Sequence, residues 1–286
     1  MFRPKSFVSA TMSSGVVQSC AAALLAVVSV SQTATAETFN VGIVPQFEPI
    51  KLAEIWSPIL RELEVTTGHT FNMVGSPRIS EFEDAFIDGE FDFAYMNPYH
   101  FLVAREAQGY EALVRDGARE LFGVLVVAKD SDIQTVADLE GKTIAFPSPN
   151  ALGAALLMRA DLDRIHGLSY NAEYVSTHSS AYLNVALGQM DAGGGVMATL
   201  NRTEPAVRDR LRIIYETTRV PPHPFVAHKR VEPEVADAVQ KAFLKLAETP
   251  EGNELLARIP MRQAIAATSE EYIDLNDLNL KDYWVN

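Results

Sequence analysis

Cysteine is nearly absent: Cys20 is the only one in 286 residues. That scarcity excludes a disulfide framework and a thiolate metal centre. Long apolar runs are scarce too. The stretch Cys20 to Val30, small and apolar throughout, has eleven residues, well short of the ~20 that span a bilayer. Cations are outnumbered, with 24 Lys and Arg against 37 Asp and Glu and a formal charge of −13. An acidic chain of this kind is ill suited to nucleic acid or to anionic membrane surfaces. Catalytic signatures are missing as well: there is no nucleophile elbow, HExxH, P-loop or GxGxxG. The six histidines (69, 100, 166, 178, 223 and 228) show no i, i+4 metal-ligand spacing. His100, His178, His223 and His228 stay open as side chains that a fold can gather into one cleft. No enzyme, no cofactor and no metal are expected.

What is present begins with an export signal. Arg3 and Lys5 precede a weakly polar stretch, the apolar run follows, and Ala34-Thr35-Ala36 supplies an A-x-A site. Residues 1–36 read as a cleavable signal peptide, cut after Ala36. Val17-Gln18-Ser19 is a poor lipoprotein signal before Cys20. Cleavage removes Cys20 and two cations, so the formal charge goes from −13 to −15. The expectation is a soluble, monomeric protein of the periplasm, held together by its core alone.

The remaining 250 residues rhyme. Phe39 to Val44 is a strand ending in Pro45, followed by a helix through Leu52, Ile55, Trp56, Ile59, Leu60 and Leu63. Thr143 to Phe146 is again a strand ending in proline and followed by a helix over 151–162. Further on, Phe82 to Asp88 is a helix that gives way to Gly89-Glu90-Phe91-Asp92. Tyr182 to Leu187 is answered in the same way by Gly188-Gln189-Met190-Asp191. In both units a glycine ends a helix just before the next strand. Two β-α-β-α-β lobes follow from that repeat. Leu121 to Ala128 and Pro224 to Ala227 are the candidate crossings between them, so the first lobe is completed by the amphipathic helices of Pro233 to Glu248 and Pro250 to Arg258. The boundaries drawn are 37–125 with 226–286 for lobe one and 126–225 for lobe two. The fold class is α/β.

Doubly wound lobes bind ligands beyond the carboxyl ends of their strands. That rule nominates Pro45-Gln46, the segment Tyr95-Met96-Asn97-Pro98-Tyr99, Ser148-Pro149-Asn150 and the cluster Ser176 to Ser180. The last is rich in small hydroxyls around His178 and serves equally as a helix cap or as a ligand contact. Gly193-Gly194-Gly195 permits close backbone approach and also suits a tightly packed strand end. Arg78, after Gly75-Ser76-Pro77, is either an anion clamp or a solvated arginine.

The export signal, "GEFDFAYMNPY", "VVAKDSDIQTVADLEGKTIAFPSPNALG" and "THSSAYLNVALGQMDA" together resemble the periplasmic substrate-binding proteins of phosphonate, phosphite and phosphate ABC importers. The resemblance implies a two-lobe Venus-flytrap fold, type II-like, with two crossing strands and a small anionic ligand between the lobes. It implies an ABC-type inner-membrane permease as partner; a membrane sensor kinase or chemoreceptor is the alternative. It also puts Tyr95, Met96, Asn97 and Tyr99, then Ser148, Asn150 and Ala151, then His178, Ser179 and Ser180 at the ligand, beside Gln46. One departure stands out. Where such proteins carry a Ser-Thr-Ser-Gly-like run, this chain reads Ala151-Leu152-Gly153-Ala154. The oxyanion keeps a helix N-terminus there and loses its hydroxyl donors.

Overall fold

A computed structural model describes residues 9–10 and 36–285. The signal peptide expected over 1–36 lies almost wholly outside the described residues. Eleven strands form two sheets: β1 (Thr38–Ile43), β2 (Thr70–Val74), β3 (Phe93–Tyr95), β4 (Glu111–Asp116), β5 (Gly123–Ala128), β6 (Thr143–Phe146), β7 (Asn171–Tyr174), β8 (Ala192–Val196), β9 (Leu211–Glu216), β10 (Phe225–Ala227) and β11 (Ala264–Ala266). The strand orders are β11-β4-β10-β3-β1-β2 and β7-β6-β8-β5-β9. The helices are α1 (Pro49–Thr67), α2 (Ile79–Ile87), α3 (Pro98–Gln108), α4 (Leu157–Arg164), α5 (His178–Ala186), α6 (Met197–Leu200), α7 (Pro205–Arg208), α8 (Pro233–Leu246) and α9 (Pro250–Ala257). Among the described residues no helix is long and apolar enough to cross a membrane.

The repeat in the sequence has a physical counterpart. In each sheet three parallel strands, β2-β1-β3 and β7-β6-β8, are followed by an antiparallel newcomer, β10 and β5 respectively. Gly89 and Gly188 both take left-handed backbone, with φ of 73° and 71°, which glycine adopts without steric cost. Three residues on, an aspartate clamps the neighbouring strand. The Asp92 carboxylate accepts from the Asn40 N–H at 2.7 Å, and that of Asp191 from the Thr143 N–H at 2.9 Å.

The crossings run differently from the sequence expectation. β5 pairs with β8 and β9 along its whole length, so Leu125 to Ala128 belong to one sheet rather than to a hinge. The connecting links are 117–122 and 217–224, joined by an antiparallel bridge between Leu121 and Val220. Pro221 and Pro222, which cannot donate to a ladder, keep the second link out of either sheet. Only at Phe225 does the chain join the first sheet, against β3 and β4.

Gly194 of β8 and Gly123 of β5 let the segment before α4 pack close, while Gly193 and Gly195 face α5. A Cβ on Gly194 would lie 2.1 Å from the Ala154 carbonyl oxygen, and one on Gly123 1.9 Å from that of Gly153. The segment Leu152–Leu156, a turn of π-helix leading into α4, therefore sits directly on the backbones of β5 and β8. Such wide turns are uncommon and gather at functional sites.

Candidate functional site

The loops at the carboxyl ends of β1, β6 and β8 meet the start of α5 around a small cavity. It has a volume of about 10 Å³ and is lined by Val44, Gln46, Ile79, Asn97, Ala151, Leu152, Gly153, Ala154, His178, Val196 and His223. That is room for about one water molecule. Ile79 and His178 open the equivalent helices α2 and α5, so the repeat places one side chain from each half on the same cavity.

Of the residues named from sequence, Gln46, Asn97, Ala151 and His178 line it. The others do different work. Tyr95 belongs to β3; its hydroxyl donates to the Ile259 carbonyl at 3.0 Å and its ring stacks on His223 with 5.3 Å between centroids. Met96 and Tyr99 are buried, and Tyr99 faces the ring of Trp284. Ser148 is buried in the turn, and its carbonyl accepts from the Ala151 N–H. Thr177 caps α5, which therefore opens at His178, and Ser180 bonds to the Thr177 side chain. Ser179 is half-buried outside the lining. Arg78 is exposed and paired with Glu81, the solvated alternative.

Asn150 is a latch. Its amide donates to Glu83 at 3.0 Å and to the Val285 carbonyl at 2.7 Å, and its side-chain oxygen accepts from the Val285 N–H. Its backbone carbonyl accepts from the Asn97 amide at 3.3 Å. Glu83 is buried and also bonds His100 at 2.9 Å. The Pro147-Ser148-Pro149-Asn150 turn thus ties the second sheet's loops to the first sheet's helices. The side-chain amide and oxygen of Asn150 and its backbone carbonyl are thereby engaged within the protein.

The lining carries no cation. Burial pushes the His178 imidazole down from its usual value to about 4. His223 is pushed down to about 3, by burial first and by the neighbouring His100 and His178 second. Both rings are neutral near pH 7. Burial favours the neutral ring because the charged form loses its hydration. The Thr199 hydroxyl donates to the Val196 carbonyl at 2.9 Å. While Thr199 keeps that bond, its 3.4 Å contact with His178 Nδ1 is made with the imidazole as donor, the tautomer that leaves Nε2 as an acceptor. His223 Nε2 accepts from the Gln46 amide at 3.1 Å, a contact that sequence reasoning had no means to find; the only hint was a histidine between two prolines. Backbone donors complete the set. After the Ala151 N–H, which bonds to Ser148, the next to bond back are those of Ala155 and Leu156, both to the Ala151 carbonyl; among the described residues the N–H groups of Leu152, Gly153 and Ala154 between them are the open donors of a helix start.

Among the described residues no group of three or more His, Cys, Asp or Glu is arranged to hold a metal. His178 and His223 share the cavity, whereas His228 stacks edge-on to Tyr110 elsewhere.

Two α/β halves, a small cavity at their strand ends and a helix N-terminus beside it define a solute-binding protein of the flytrap class. The family described as "ABC transporter, phosphonate, periplasmic substrate-binding protein" matches residues 41–272, and the chain belongs to that family. The phosphonates-binding periplasmic protein of Escherichia coli is 22% identical over 258 residues, covering 85% of this chain and 76% of that protein. The phosphate-import protein PhnD of Mycolicibacterium smegmatis is 23% identical, covering 72% and 71%. PhnD1 of Prochlorococcus marinus, solved with methylphosphonate, superposes with a TM-score of 0.79 at 16% identity over 87% of this chain and 99% of that one.

Proposed function

We propose that this protein captures a small, singly charged oxyanion at the cavity around His178, which widens from its water-sized volume to admit it, and passes it to an ABC permease. The observation that carries this reading is the neutral lining: two histidines held uncharged by burial, Gln46, Asn97 and apolar side chains. With no cation present, the helix N-terminus contributes only about half an elementary charge. A second ligand charge would be desolvated without compensation. An oxyanion that keeps one acidic proton fits better. Its oxygens accept from the backbone N–H groups, and its hydroxyl donates to His178 Nε2.

In this reading the protein binds and does not turn over its ligand. Ser180 bonds to Thr177, the His178 ring meets Thr199, and among the described residues no serine hydroxyl is hydrogen-bonded to His178 as an activated nucleophile would be. Family membership supports the transporter over a sensor partner. The lobes are the two sheets with their helices, 38–116 with 225–285 and 123–216, hinged at the two links joined by the Leu121–Val220 bridge.

Titration calorimetry with phosphite, phosphate and methylphosphonate tests the assignment. His178→Ala is expected to weaken the tightest of them by ~1.5–3 kcal/mol, the range for a lost hydrogen bond to a charged group. Unchanged affinity in that variant would remove His178 from the site.

A further inference from the structure

A second concavity, of about 480 Å³, opens beside the hinge and shares no residue with the first cavity. It is lined by four arginines, Arg119, Arg202, Arg219 and Arg262, and one carboxylate, Glu120, together with Phe122 and Met197 among others. Four guanidiniums in one pocket run against the character of a chain with 37 acidic residues and 24 basic ones. They also come from separate places. Arg119 and Arg219 stand on the two crossing links, Arg202 follows α6, and Arg262 follows α9.

Their internal partners do not balance them. Arg219 has Glu216 at 3.1 Å and Glu120 at 3.9 Å, and its guanidinium lies over the Phe122 ring at 4.3 Å. Arg119 reaches Asp116 only at 3.8 Å, and the other oxygen of that carboxylate is already held by two backbone N–H groups, those of Ala118 and Gln263. Arg202 donates to the Ala257 carbonyl and has no carboxylate partner. Arg262 has neither an ion pair nor a hydrogen bond among the described residues. Consistent with crowding of like charge, Arg202 and Arg119 are each shifted below the usual guanidinium range, by burial first and with Arg262 contributing in both. A site that holds unpaired guanidiniums at close quarters is stabilised by an external anion, and arginine forks match oxyanions through paired N–H donors.

We propose that Arg119, Arg202, Arg219 and Arg262 form a binding site for a multiply charged oxyanion, separate from the first cavity. Such a ligand touches both links and both lobes at once, so its occupancy holds the hinge in the geometry seen here. The proposal does not depend on what the cavity binds.

Calorimetry with pyrophosphate at fixed ionic strength is the test. The unmodified protein is expected to bind it saturably, with affinity falling steeply as salt is added. Arg262→Gln removes an exposed side chain that makes no internal bond, so the fold is retained, and affinity is expected to drop about tenfold or more, as for one lost charged hydrogen bond. His178→Ala is expected to bind pyrophosphate as the unmodified protein does. Absence of saturable binding at millimolar pyrophosphate, or Arg262→Gln binding unchanged, would overturn the site. Parallel loss of pyrophosphate binding in His178→Ala would overturn its separateness.

Discussion

The two cavity histidines make stability depend on pH in a calculable way. His178 titrates near 4 and His223 near 3 in the folded protein, against about 6.5 in an unfolded chain. Between those values the unfolded state binds the proton and the folded state does not. Their stability is therefore fully present above about pH 6.5 and is lost as the pH falls toward the folded values. From pH 7 to pH 5, linkage gives a loss of about 2 kcal/mol for each ring and roughly 4 kcal/mol for the pair. In a chain of this size that corresponds to a melting temperature roughly 10 °C lower. Carboxylates and the other histidines add their own slopes, so the measurement is a difference. Thermal melts at pH 7 and pH 5 are compared between the unmodified protein and the double variant His178→Asn, His223→Gln. The variant is expected to start less stable at pH 7, because Gln46 and Tyr95 lose a partner, and to lose markedly less on acidification. An equal drop in both proteins would mean that these rings are not held neutral, and the electrostatic account of the cavity would fall with it.

Gly194→Ala should destabilise the protein by roughly 1–3 kcal/mol or more, because its Cβ would sit 2.1 Å from the Ala154 carbonyl oxygen and overpacking costs of that order; chemical denaturation measures it. The double change Ala151→Ser, Leu152→Thr should raise affinity for phosphate and methylphosphonate by restoring two hydroxyl donors, each contributing ~1.5–3 kcal/mol toward a charged oxygen. Calorimetry showing no gain would mean that neither side chain reaches the ligand.

Much of the fold was written in short-range signals. Gly89 and Gly188 had to end helices, and the aspartates three residues later recur because each clamps the strand beside it. The site was legible only where one residue type performs one task. His178 at the first position of α5 reaches the cavity because the cap at Thr177 starts the helix there. Asn150 looked the same in sequence as a ligand donor, yet its bonds run to Glu83, Asn97 and Val285, the last 135 residues away. No local pattern encodes such a contact. The first crossing was misplaced for a related reason. Leu121 to Ala128 is an apolar run with no internal mark, and only pairing with β8 and β9 decides that the sheet begins at Gly123. The arginine pocket was invisible because its four members are scattered over residues 119–262.

The neutrality of the cavity is tested most directly by the affinity for methylphosphonate measured across the ligand's second ionisation, from pH 6 to pH 8.5. Using the Arg262→Gln protein keeps the arginine pocket from contributing. His178 and His223 stay uncharged over that whole range, so only the ligand titrates. Affinity should fall by about tenfold or more as the monoanion becomes the dianion, since the second charge meets no cation in the lining. Affinity that holds constant or rises toward pH 8.5 would show that the site welcomes a dianion, and the singly charged ligand proposed here would be wrong.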